Sequence, residues 1–78
     1  MADLTEILAV RIRQLRFVRK WTQEELADRA GLSARYLGEI ERHRASPTVS
    51  VLGRLAAALE VDPAQLLKRR PKRNKRSR

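Results

Sequence analysis

Residues 22–42 read TQEELADRAGLSARYLGEIER, and this stretch decides the fold. Thr22 and Glu25 form a capping box: the hydroxyl accepts from the Glu25 backbone N–H while the carboxylate reaches back to the cap. Trp21 before the cap and Leu26 after it stand at the two positions of a hydrophobic staple, so a helix begins at Thr22. Leu26, Ala27 and Ala30 mark one apolar face at helical spacing. Gly31 follows where a left-handed residue ends a helix without steric penalty. Ser33 is the next N-cap, with Leu32 and Leu37 at its staple positions. Leu37 and Ile40 turn inward, which leaves Ala34, Arg35, Gly38, Glu39 and Arg42 on the outer side of the second helix. Two short amphipathic helices joined by a glycine turn are the layout of a helix-turn-helix, and the outer face of the second is free to read something.

The flanking sequence supplies the scaffold. Asp3 and Glu6 are spaced as another capping box, opening a helix to about Arg19 with Leu4, Leu8, Ile12 and Leu15 on one stripe. Pro47 marks a loop. Thr48 then caps a fourth helix whose Val51, Leu52, Leu55, Ala56 and Leu59 have the spacing of a buried face. Asp62, Pro63 and Gln65 read as N-cap, first-turn proline and capping-box partner of a short fifth helix ending near Leu67. Neither strand alternation, an Asn-Gly hairpin signal nor a fixed-period repeat is present, so the expected fold is all-α.

Composition bounds the function. At 78 residues the chain holds one small domain, and with a single Trp, Tyr and Phe its core must be aliphatic and modest. Without cysteine there is no disulfide framework, thiolate metal site or thiol nucleophile. No run of 18 apolar residues exists, and MADLTEIL carries acids where a signal peptide carries bases, so a cytoplasmic protein is expected. His43, the lone histidine, has no ligand-spaced acids about it and is expected on a loop rather than at a metal. Neither a Ser-His-acid constellation nor a phosphate-cradling glycine loop is visible, so no enzyme and no cofactor is expected.

Charge is unevenly spread. Residues 1–67 contain ten Lys or Arg and nine Asp or Glu, whereas residues 68–78, KRRPKRNKRSR, contain eight basic residues and no acid. Nearly all of the net +9 therefore sits in the last eleven residues. Such a block cannot bury apolar area to offset its ordering entropy, and is expected to be disordered when free. It reads as an arm adding salt-sensitive affinity for phosphate, or as a solubilising tail with no dedicated role. The expected division is a domain over 1–67 and a basic tail over 68–78.

From about Ile12 to Leu67 the chain resembles the Cro/C1-type helix-turn-helix family, also called XRE, of small bacterial and phage transcription regulators. The motifs that carry the resemblance are IRQLR at 12–16, TQEELADRAGLS at 22–33, YLGEIER at 36–42 and SPTVSVLGRLAAALEVDPAQLL at 46–67. The likeness is greatest to compact single-domain members such as restriction-modification controller proteins and prophage repressors. It implies a five-helix, lambda-repressor-like domain binding double-stranded DNA. Two departures stand out: glycine usually occupies the positions of Lys20 and Glu60, and either replacement strains a left-handed residue by about 1 kcal/mol or forces another turn.

In a helix-turn-helix the second helix enters the major groove, so residues 34–39 meet base edges. Arg35 is the candidate for direct readout, its guanidinium matching guanine O6 and N7; a phosphate contact or a solvated surface role is the alternative. Glu39 either accepts from cytosine N4 or fixes Arg35 through an i,i+4 ion pair. The resemblance puts Ala34 where phage repressors carry an adenine-binding glutamine, so contact with a thymine methyl is the most it offers. Gln23 stands where the family's glutamine bonds a phosphate and braces the reading helix. Tyr36, Arg42, His43, Arg44, Ser46 and Thr48 lie at the far end and following loop, facing the second backbone, unless the Tyr36 ring covers the core. Arg16 and Glu41 match the family's partly buried ion pair; Arg13 is ambiguous.

One reading helix buries too little to specify a site, so a homodimer on two half-sites is expected. Leu59, Val61, Leu66 and Leu67 form its candidate interface, or else merely close the monomer core. Two functions compete: a sequence-specific regulator of transcription, with RNA polymerase among its possible partners, and an antitoxin-type module that also holds a toxin partner.

Overall fold

A computed structural model describes residues 3–68 and contains five helices: α1 Leu4–Val18, α2 Gln23–Ala30, α3 Ala34–Glu41, α4 Val49–Leu59 and α5 Pro63–Leu66. No strand occurs among the described residues. The basic segment read from the sequence as a free arm lies, apart from Lys68, outside the described residues.

Each helix begins at a polar cap. Thr22 Oγ1 accepts from Glu25 N at 3.0 Å and Thr22 N donates to Glu25 Oε1 at 2.9 Å, which is the capping box in full. Ser33 and Thr48 cap α3 and α4 through Tyr36 N and Val51 N. Asp3 and Asp62 also cap, but two residues along rather than three, accepting from Thr5 N and Ala64 N. The boxes expected with Glu6 and Gln65 therefore do not form: a carboxylate at the cap reaches the N2 amide directly, and Thr5 Oγ1 takes the second Asp3 oxygen at 2.9 Å.

Four helices end alike. After α1, α2, α3 and α4 a left-handed residue turns the chain, and the next amide bonds back five residues: Trp21 to Arg16 O, Leu32 to Ala27 O, Arg44 to Glu39 O and Val61 to Ala56 O. Only one left-handed residue is glycine, Gly31 at φ 72°; the others are Lys20, His43 and Glu60 at φ 59°, 63° and 59°. Lys20 and Glu60 thus keep the turn that glycine makes in the resembling family and carry its steric cost.

Apolar faces converge on Leu8, Ile12, Leu26, Leu37, Ile40, Leu55, Leu59 and Leu66, filled in by Ala27, Ala30 and Ala56. α2 packs on α3 and α4, while α1 packs on α3 and α5. Three expectations need correction here. Leu4, placed on the buried stripe of α1, is 57% exposed, because the helix projects past the core at its first turn and Ala9 and Arg16 are buried instead. Leu59 and Leu66, expected in a dimer interface, are wholly buried in the chain's own core where α4 and α5 meet. Gly38, expected on the outer side of α3, is buried toward α2.

Candidate nucleic-acid interface

α3 is held along one side and open along the other. Its inner side buries Leu37 and Ile40 in the core and ends on Glu41, which is 2% exposed. Arg16 Nε and Nη2 donate to Glu41 Oε2 and Oε1, each at 2.9 Å, in a fork that satisfies both carboxylate oxygens. Gln23 Nε2 adds a third bond to Oε1 at 3.0 Å, and Arg13 Nη1 donates to the Glu41 carbonyl at 2.6 Å. One residue thereby ties the end of α3 to both α1 and α2. Charges this deeply desolvated are tolerated only when every lone pair is matched, and no buried side-chain polar atom among the described residues lacks a partner.

Most arginines of the domain serve the fold. Arg11, Arg19 and Arg54 donate to the carbonyls of Gln65, Leu59 and Gly31, and Arg16 donates also to that of Trp21 at 3.0 Å. These carbonyls lie at the ends of helices, where the last C=O groups lack intrahelical partners and the dipole is negative. Arg29 instead stacks on the Trp21 ring, 4.2 Å from its centroid. Sequence reasoning missed these roles because a docked arginine and a solvated one occupy the same periodic positions.

The remaining described arginines gather about α3. Arg35 is 87% exposed along its side chain, and its Nε lies 3.9 Å from Glu39 Oε2, beyond hydrogen-bonding distance. Such an exposed i,i+4 pair contributes about 0.3–0.5 kcal/mol, too little to keep Arg35 from a better partner. Arg42, His43, Arg44 and Ser46 are exposed in sequence beyond it, and Thr48 is exposed while its hydroxyl caps α4. Of the other candidates, Ala34 and Tyr36 are half-buried against the core, so the tyrosine ring does cover it. Gln23 is half-buried at the α2–α3 junction. Arg35 and Glu39 thus lie on the open side of α3, the exposed Arg42, His43 and Arg44 follow them in sequence, and Ala34, Tyr36 and Gln23 are half-buried. The first turns of α3 and α4 carry no acid, leaving the positive ends of both helix dipoles uncompensated, whereas α2 begins with Glu24 and Glu25.

Comparison with known proteins agrees with this geometry. The helix-turn-helix family HTH_3 matches residues 12–66. The HTH-type transcriptional regulator SutR of Escherichia coli K12 is 41% identical over 61 residues, covering 78% of this chain. The chain spans only about a third of SutR, 34% of its length. The control protein C.SmaI of Serratia marcescens is similar over nearly the whole chain: 39% identity across 72 residues, 92% of this chain and 86% of that protein. The crystal structure of the hypothetical transcription factor NHTF from Neisseria superposes with a TM-score of 0.83 at 40% identity, covering 86% of this chain and 77% of that one. With five helices in order, α2 and α3 joined by the Gly31 turn and the family match spanning most of its length, this chain belongs to the HTH_3, or XRE-type, helix-turn-helix family.

Proposed function

We propose that the chain is a cytoplasmic, sequence-specific regulator of transcription that binds operator DNA through the outer face of α3. The observation that carries this reading is the asymmetry of α3: its inner side is locked by the Glu41 bonds, while Arg35 and Glu39 face outward. A rigid helix with a free polar face suits the major groove, whose base edges present distinct donor and acceptor patterns. Arg35 reads a guanine. Glu39 steers it, or accepts from a cytosine once Arg35 swings away. Ala34 touches a thymine methyl. Gln23, Arg42, His43, Arg44, Ser46 and Thr48 contact phosphates and fix the register, while Tyr36, its ring committed to the core, offers them only its hydroxyl.

Two copies bind together on half-sites one helical turn apart. With Leu59 and Leu66 committed to the core, Val61 and Leu67 are left of the expected interface. Leu67 also lines an open apolar cleft with Leu4, Leu8, Pro47, Val49 and Leu52, and a second copy is its proposed occupant. The cations of residues 68–78 add sequence-independent affinity. The test is selection of binding sites from random duplexes, followed by gel shifts of the winner across a salt series. A recurring motif bound near physiological salt is expected; enrichment of none, with all binding lost at modest salt, would leave only the basic tail as a DNA ligand.

A further inference from the structure

Gly38 sits in the middle of α3, buried, with helical φ, at a position where its lack of a side chain weakens the helix. A Cβ built there would meet Arg42 Nη1 at 3.2 Å, Gln23 Oε1 at 3.5 Å and Arg42 Nη2 at 3.7 Å. A methyl there would thus press on the guanidinium of Arg42, folded back one turn along α3, and lie in ordinary contact with the amide oxygen of Gln23 from α2. The Gln23 amide is itself oriented, since Nε2 donates to Glu41 Oε1. That bond turns Oε1 toward the notch and leaves the second Nε2 hydrogen unspent. Arg42 is exposed, and its guanidinium offers five N–H donors.

We infer that Gly38 is a positioning residue: its missing side chain opens a notch that holds the Arg42 guanidinium beside the Gln23 amide, so that the two grip one DNA phosphate on the α2 side of the reading helix. The inference rests on the proposed DNA-binding function and moves Arg42 within it, from the far backbone where the sequence pattern sends it to the near one. An arginine fork and a neighbouring amide N–H together match the oxygens of a single phosphate. The glycine that costs the helix stability is what lets them approach.

Gly38→Ala separates this role from a structural one. The contacts its methyl meets are the ends of side chains rather than backbone, so the variant folds, and its melting midpoint rises by about 2–8 °C as helix propensity improves. Its affinity for the selected duplex falls roughly three- to tenfold at 0.15 M salt, by an equal factor on scrambled duplex. The slope of log K against log salt becomes shallower by up to about 0.9, one phosphate's worth of released counterion. Arg42→Ala gives the same slope, and the double variant loses nothing beyond the single ones. If Gly38→Ala kept the wild-type slope while Arg42→Ala lost it, or if the two losses added, the notch would be refuted with the DNA-binding reading intact. Failure of the unaltered chain to prefer any duplex would instead overturn that reading, and the notch with it.

Discussion

Arg16 and Glu41 meet side by side, Nε to Oε2 and Nη2 to Oε1 at 2.9 Å, with side chains 11% and 2% exposed. The pair links the last turn of α1 to the last residue of the reading helix. Its desolvation makes it more important to orientation than to net stability, because burying both charges costs nearly what their attraction returns. Removing one partner is another matter. Glu41→Ala is expected to destabilise the domain by about 3–5 kcal/mol, since Arg16 is left charged and unmatched in the interior. Arg16→Met with Glu41→Leu should recover most of that loss. Urea denaturation of the three proteins checks both statements, and a single variant as stable as the parent would show that water reaches the site freely.

Arg35→Ala touches no core contact and should leave the melting midpoint unchanged. Affinity for the selected site is expected to drop by about 1–3 kcal/mol with relaxed preference at one base pair, while Arg44→Ala weakens all sequences alike. Competition titrations against duplexes altered one position at a time distinguish the two patterns. Uniform loss in both variants would remove Arg35 from base readout.

Lys20 and Glu60 carry positive φ without being glycine. Lys20→Gly and Glu60→Gly should each stabilise the domain by about 0.5–1 kcal/mol, and additively, because the two turns lie at the ends of different helices. Gly31→Ala at φ 72° should cost at least as much in the opposite direction. Thermal unfolding reads all three; unchanged stability in Lys20→Gly would mean that its chain-entropy cost cancels the relief.

Removing residues 68–78 takes away eight positive charges and no acid. The expected result is the same preferred sequence, the same melting midpoint and a shallower salt slope, by about 0.9 for each phosphate the segment neutralises. A changed sequence preference in the shortened protein would mean that the segment reads bases as well.

Val49 is 85% exposed at the rim of the apolar cleft that Leu67 lines. Val49→Asp should therefore spare folding yet weaken self-association and, with it, affinity for a two-half-site duplex far more than for a single half-site. Sedimentation equilibrium beside the gel shifts would decide, and an unaltered dimer would place the interface elsewhere.

Much of the architecture was legible because helix ends are written in local chemistry. Thr22, Ser33 and Thr48 cap the amides their spacing promised, and Gly31 turns left-handed where the pattern stops. Periodicity likewise identified Leu26, Ala27, Ala30, Leu37 and Ile40 as core. Leu4 misled it, and Leu59, rightly placed on a buried face, was still counted with Leu66 among the leucines free for a partner: periodicity says which face is apolar, not how far along the helix a neighbour extends or whether a leucine is covered by a later helix.

By itself, then, the order of amino acids determined where each helix starts and stops, that the fold is all-α, and which face of α3 stays polar, since caps, glycine turns and spacing act within a few residues. Tertiary structure alone decided that Leu66 closes the core, that Arg11, Arg13, Arg19 and Arg54 serve carbonyls of distant helix ends, and that Gly38 faces Gln23 rather than solvent. Those outcomes depend on the angles at which α1 to α5 cross, and crossing angles arise from contacts between segments far apart in the chain.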